Sequence, residues 1–401
     1  MSSYILSNSN RFYTALEAAY GNVAAVTAAN RIPALKLAMQ QQLDVNARQD
    51  KTGSRTFPGV PAGGRLRTAF ELRTYLTSWQ QSASAPQNGP APELTGPAYG
   101  PLFQAALGGS PLLFMGGTVA SCTAAGVLIF QAPHGLVAGQ AVSCGGEIRF
   151  VAAIVSSVGV QLNAPFADPP AAGSAAGPTV TYPPASQLPS VSIYDYWSPA
   201  TAVQRLLCGA AVDEMDILLN GDYQEFRFRG LAQDLLDSSS FSNGQGTLAS
   251  FPQEPAVGGF DYSIVPGNMG EAWLGASPSQ FFTITGGTVT LKNGLAMRSS
   301  EFGTNLPQAI SPGPRTVTAS FELFSMDDSA TKSLYQAARQ QSPISVMFQL
   351  GQATGQCMGV CMNSVAPVVP EFDDGQNRLL WEFRGSRAQG IADDEIAVAF
   401  G

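Results

Sequence analysis

Histidine is almost missing from this sequence: His134 is the only one in 401 residues. A Ser-His-Asp or Cys-His arrangement would have to use it, and no G-x-S-x-G elbow is present. His134 stands in P-H-G-L, ahead of a glycine, which is the place of a turn residue holding local hydrogen bonds. Lysine is scarce too, limited to Lys36, Lys51, Lys292 and Lys332. Charged residues make up 12% of the chain, about half the usual share. The net charge of −8 excludes tight wrapping of DNA by clustered cations. It leaves room for DNA sliding past a repelling acidic wall. There is no Walker loop, and no G-x-G-x-x-G follows a strand. No apolar run reaches the ~18–20 residues that span a membrane. The opening M-S-S-Y-I-L-S-N-S-N-R-F-Y lacks the charged start and apolar core of a signal peptide. A soluble protein made in the cytoplasm is therefore expected.

Cysteines and acids offer little chemistry. The five cysteines, Cys122, Cys144, Cys208, Cys357 and Cys361, are an odd number in a long chain, which is no disulfide framework. Cys357 and Cys361 have neither a second pair nor a nearby histidine for zinc. All five read as small buried side chains in strands. Acids cluster at Asp213/Glu214/Asp216, Asp327/Asp328, Asp373/Asp374 and Asp393/Asp394/Glu395. None has calcium-loop spacing, and they read as solvated turn acids, with Asp327 as the cap of a helix. No catalytic residue, cofactor or metal is expected, and the chain is not read as an enzyme.

What is abundant is apolar residues (45%), with 42 glycines and 28 prolines in no period. That composition suits a mainly β protein with many turns. Within it, T-A-F-E-L at 68–72 returns as T-A-S-F-E-L at 318–323. Each follows a glycine-proline turn, and each is preceded by an alternating run, 34–45 or 282–292. Downstream, L-F-Q-A-A (102–106) matches L-Y-Q-A-A (334–338), both read as short helices. An apolar strand comes next in each half, at 111–115 and 343–350. E-F-R-F-R-G at 225–230 and W-E-F-R-G at 381–385 then close each series with a strand wet on one face. Ordered recurrence of this kind points to one β-domain used twice. Alternation sets Phe70 and Phe321 in the core and turns Glu71 and Glu322 outward. Leu102 and Leu334 of the short helices and Phe228 and Phe383 of the closing strands are further core candidates.

One long stretch breaks the repeat. Strands at 127–130, 140–143, 148–154 and 158–162, separated by glycine turns, read as a small inserted β-module. A Pro/Ala/Gly linker follows at 167–184. The expected division is 1–119 and 186–250 for the first domain, 120–185 for the module, 251–279 for a linker and 280–401 for the second domain. The segment 260–279 is either a crossover that wraps a neighbour or an ordinary surface linker. Residues 82–97 read as a loop. The module is too small for a large core of its own and should lean on its parent domain. As a decoration, its removal should leave assembly intact.

F-T-I-T-G-G-T-V-T-L, P-G-P-R-T-V-T-A-S-F-E-L-F, L-Y-Q-A-A-R, P-x-x-V-x-F-Q-L-G and the closing 382–400 carry a resemblance. The chain resembles the major tail tube proteins of long-tailed, non-contractile (siphovirus-type) bacteriophages. That resemblance implies duplicated β-sandwich or half-barrel domains with short flanking helices. It implies rings whose inner sheets join around a DNA channel, often acidic. Stacking loops would lie at 46–65 and 298–314, and lumen strands within 35–43, 67–75, 289–297 and 316–324. Glu71 and Glu322 would face either the lumen or a subunit junction, paired there with arginines such as Arg67 or Arg315. By symmetry a two-domain chain suits a trimer, a pseudo-hexameric ring. Implied partners are further copies of the chain, tail terminator, distal tail and tape measure proteins, and double-stranded DNA in passage, with no membrane. Implied localisation is the virion tail, assembled in the host cytoplasm. The competing readings are a distal-tail or baseplate ring protein that does not polymerise, and a surface carbohydrate-binding β-protein.

Overall fold

The computed structural model describes residues 4–44, 51, 53–55, 59, 64–79, 96–256, 263–375 and 377–401. Residues 82–95 of the expected loop 82–97 and most of the expected stacking loop 46–65 lie outside them. The described chain is mainly β, with two α-helices. It begins with β1 (Arg11–Leu16), β2 (Arg31–Ile32), β3 (Ala34–Asp44), β4 (Arg65–Tyr75), α1 (Gly100–Leu107) and β5 (Leu112–Phe114). Six short strands follow: β6 (Gly117–Cys122), β7 (Val127–Phe130), β8 (Ala141–Cys144), β9 (Glu147–Ile154), β10 (Gly159–Leu162) and β11 (Ala175–Gly177). Next come β12 (Thr179–Tyr182), β13 (Val191–Tyr196), β14 (Arg205–Leu219), β15 (Glu225–Ala232) and β16 (Asp234–Asp237). The remainder comprises β17 (Gly270–Gly275), β18 (Ser279–Gln280), β19 (Ile284–Lys292), β20 (Ala296–Met297), β21 (Ile310–Ser311), β22 (Thr316–Phe324), α2 (Ser329–Gln340), β23 (Ile344–Leu350), β24 (Met358–Ala366), β25 (Glu371–Asp373), β26 (Leu380–Ala388) and β27 (Ala397–Phe400).

Two units share one antiparallel strand order. In the first, β3 pairs with β4, β4 with β15, β15 with β14, β14 with β13 and β13 with β1. In the second, β19 pairs with β22, β22 with β26, β26 with β24 and β25, β24 with β23 and β23 with β17. Even an irregularity recurs: the register shifts between Val191 and Ile193 against β14, and between Ile344 and Val346 against β24. β14 also pairs with β19, joining the two units edge to edge. The strand 111–115 is not the counterpart of 343–350. β5 pairs with β12, and the counterpart of β23 is β13, because the inserted module precedes that strand.

The two phrases match less simply than their spelling. Phe70 is buried beside an exposed Ala69, whereas Ala319 and Phe321 are both buried around Ser320. Matching by face sets Ser320 in the place of Ala69, so the extra serine moves Thr-Ala to the opposite faces. The F-R-G motifs are likewise offset. Phe228 opposes Leu72, while Phe383 opposes Phe321 and stacks on it with ring centroids 4.7 Å apart. Gly230 is compulsory: a Cβ there would stand 1.9 Å from the Ala211 carbonyl oxygen. Gly385 faces open space but has φ +68°, the left-handed region that favours glycine. All six expected core residues, Phe70, Phe321, Leu102, Leu334, Phe228 and Phe383, are buried in one cluster spanning both units.

Each helix is set by local signals. Pro101 opens α1, and Gly108 (φ 96°) closes it. The cap of α2 is Asp328, not Asp327: its carboxylate accepts from the Thr331 N–H at 2.7 Å. Asp327 meets Lys332 instead. α2 therefore starts five residues before L-Y-Q-A-A.

The inserted module is a closed six-stranded barrel, β10-β7-β6-β11-β8-β9. It starts at Gly117, and the expected linker 167–184 contains β11, which closes it, and β12, which pairs with β5 and β27. His134 keeps the turn role: its Nδ1 accepts from the Leu136 N–H at 2.9 Å. The expected linker 251–279 contains β17, an integral strand of the second unit.

The barrel leans on the second unit rather than decorating the first. Ile148, Phe150, Trp273, Met347 and Cys361 share one buried cluster. Beside it the fully buried Arg149 donates to Glu147, to Glu271 at 2.9 Å and to Gln349 Oε1 at 3.1 Å, and its guanidinium lies 4.8 Å from the Trp273 ring centre. A buried cation is tolerated because every side of the fork finds an acceptor. Removing 120–185 would uncover this cluster and leave Glu271 without its cation, which argues against the expectation that removal leaves assembly intact. Excision should give aggregated protein in size-exclusion chromatography. Arg149→Ala should lower unfolding stability in urea by about 3–5 kcal/mol, since it strands two buried carboxylates.

Candidate functional site

Strand alternation gives the joined sheet one apolar and one polar face. Across β4, β15, β14, β19 and β22, residues such as Leu72, Phe228, Met215, Val289 and Phe321 point into the core. Their neighbours form the other face. Arg229 is central there, opposed by Glu71 on β4 and Glu214 on β14. Its guanidinium bonds Glu214 and lies 3.4 Å from Glu71 and 3.5 Å from Asp216. Arg227 lies 3.7 Å from Glu71, and Arg73 grips Glu225 with two bonds of 2.6 and 3.0 Å. Lys292 reaches Glu214 at 3.0 Å, across the junction between units. Thr290, on the same strand, donates to Asp216 at 2.8 Å. Asp213, Glu214 and Asp216 are thus strand residues or strand-bulge residues, not solvated turn acids.

The expected site residues separate. Glu71 and Glu322 share this face, as alternation requires. Glu71 pairs with Arg227 and Arg229, not with Arg67, which pairs with Asp44 at 2.9 Å. Glu322 is exposed and stands opposite Glu382, itself opposite Glu371. Arg384 bonds Glu382 and lies 3.8 Å from Glu371. Arg315 is remote from both glutamates' lattice: it holds Glu395 at 2.7 Å and Asp393 at 3.1 Å and donates to the Ala185 carbonyl. The physical reason is register: the arginines that reach Glu71 come from the directly opposed strand β15, whereas Arg67 and Arg315 sit toward the strand starts. Hence the face is a charge-paired lattice in the first unit and acid-rich near Glu322, instead of acidic throughout. The clue to the lattice was in E-F-R-F-R, whose arginines at every second place face one way.

The sequence matches no family model, and no curated protein matches it.

The face itself therefore carries the functional reading. Chemistry elsewhere is quiet. Burial pushes the thiols of Cys144, Cys208, Cys357 and Cys361 up to about 12, so they stay protonated at neutral pH. No group of three metal-ligating side chains occurs among the described residues. No helix of the described residues is long and apolar enough to cross a membrane. The barrel's Phe130, Phe150 and Phe166 are all buried, leaving no aromatic platform on which a sugar ring would stack.

Arg229→Met should cost about 1 kcal/mol in urea unfolding, modest because the site is partly exposed. The deficit should shrink in ~1 M salt, where charges are screened beyond about 3 Å. A deficit that ignores salt would show that the lattice acts through packing alone.

Proposed function

We propose that this chain is a structural subunit that assembles with copies of itself into a bacteriophage tail tube, a stack of rings around a channel for DNA. The observation that carries the reading is the joined sheet. Two units of one strand order are fused edge to edge through β14 and β19, so a single polar face runs across both. Repeating that fusion between chains would extend the face around a closed circle, and a trimer of two-unit chains gives a pseudo-hexameric ring. Rings with unlike top and bottom surfaces stack head to tail without limit. The arginines of the face are already held by Glu71, Glu214, Asp216 and Glu225. Phosphates sliding past would find few unpaired cations, which suits passage without retention.

On this reading the strands β3, β4, β15, β14, β19, β22 and β26 line the lumen, and the barrel rides on the opposite side of the subunit. β21 falls in the expected stacking loop 298–314, and β20, with which it pairs, lies just before that loop. Partners are further copies of the chain, the tail terminator and distal tail proteins at the tube ends, the tape measure protein within and double-stranded DNA in transit. The location is the virion tail.

Electron microscopy of the purified protein tests this. Long tubes with a regular axial repeat are the expected result. Single closed rings that never stack would favour the distal-tail or baseplate reading. A chain that remains monomeric at every concentration would overturn both.

A further inference from the structure

We infer that β25 of one chain pairs antiparallel with β3 of a second copy of this chain, with Phe372 opposite Leu43, and that the aromatic stack beside α2 seals the contact. This deepens the proposed function and rests on it. The template is the junction inside the chain, where β14 meets β19 with Glu214 opposite Lys292, Met215 opposite Leu291 and Asp216 opposite Thr290.

Each half of that junction has a counterpart with an open edge. On β26, Glu371, Phe372 and Asp373 oppose Glu382, Trp381 and Leu380. On β15, Glu214, Met215 and Asp216 oppose Arg229, Phe228 and Arg227. Since Phe228 and Trp381 face the equivalent residues Leu72 and Leu323, Phe372 holds the place of Met215. Likewise Met39 opposes Phe70 as Gly287 opposes Phe321, and Leu43 opposes Leu66 as Leu291 opposes Val317. Leu43 thus holds the place of Leu291. Among the described residues β25 pairs only with β26, and β3 only with β4.

Burial separates the two junctions. Met215 and Leu291 are both 0% exposed, whereas Phe372 is 54% and Leu43 47% exposed. The helices tell the same story. In the first unit Phe103 of α1 is fully buried against Phe226, Phe228 and Phe400, the last belonging to the second unit. Its counterpart Tyr335 stands beside Trp381 and Phe372, which stack at 5.2 Å and 7° with one ring half open to solvent. An unpaired strand edge next to exposed apolar rings is a template for another chain.

The register also sets Glu371 against Asp44 where the internal junction has Glu214 against Lys292. Each acid brings its own arginine, Arg384 at 3.8 Å and Arg67 at 2.9 Å. That mismatch supplies a gain-of-assembly test.

In a Cys122→Ser background, chains with both Leu43→Cys and Phe372→Cys should oxidise into a ladder of covalent multimers, and either change alone should not. Phe372→Asp should raise the concentration needed for assembly about a hundredfold, with the monomer's urea unfolding curve unchanged. Glu371→Lys should lower that concentration by about threefold, the return of a cross-strand ion pair. Tubes or rings that form without cross-linking, and with both variants inert, would overturn this junction while the tube reading stands. Absence of assembly at every concentration would overturn both.

Discussion

β14 has to serve two sheets at once, and the arrangement of the molecule follows from that constraint. Its first half pairs with β13 and β16, and its second half with β15 and β19. The residues record the change. From Leu206 to Val212 the strand is apolar and buried on both faces. After the register shift between Val212 and Glu214 it alternates, with Glu214 and Asp216 on the polar face and Met215 and Ile217 in the core. A strand covered on both sides needs no polar alternation, and one that borders water does. The bulge is where one requirement yields to the other.

Because β14 supplies the edge to which β19 binds, the two units do not have separate cores. Phe70 and Phe228 belong to the same buried cluster as Phe321 and Phe383. The barrel adds a second lock. Its strands leave the first unit after β5 and rest on β17, β23 and β24 of the second, with Arg149 reaching Glu271 and Gln349 across the contact. The insertion therefore ties the units together from the side opposite the polar face. An insertion of this size usually hangs on a surface loop. Here it is bound by both a shared apolar cluster and a fully satisfied buried charge.

Much of this was legible in the sequence, for reasons that can be named. The barrel strand Val127–Phe130 was found to the residue, since an apolar run between glycine turns has few other fates. Alternation alone puts Phe70 and Phe321 in the core, where both are buried. The repeat was legible as an order of elements, but its register was not. Spelling aligned Thr-Ala with Thr-Ala, whereas burial aligns Ala69 with Ser320, because a single inserted residue reverses the faces of what precedes it. β11 was hidden in an Ala/Gly-rich stretch that composition assigns to a linker. β25 was hidden for the opposite reason: E-F-D-D-G carries turn acids, and only the opposed Trp381 makes a strand of its first three residues. Arg149 gave little signal: Glu147 two places earlier marks a shared strand face, but the partners that bury the pair, Glu271 and Gln349, are more than 100 residues away.

A unit used twice in one chain provides its own control. The same position is seen once with its neighbour present and once without. Met215 and Phe372 sit at the same point of the same strand order, and one is sealed while the other is open. The same contrast separates Leu291 from Leu43 and Phe103 from Tyr335. Ordinary surface drift would scatter such differences over the fold. Here they gather at the two edges that the internal junction would join, one at each end of the sheet. The open ends of the sheet are the counterparts of the two halves of its own central seam, and the continuation into another copy that we propose would give every unpaired backbone group on those edges a partner.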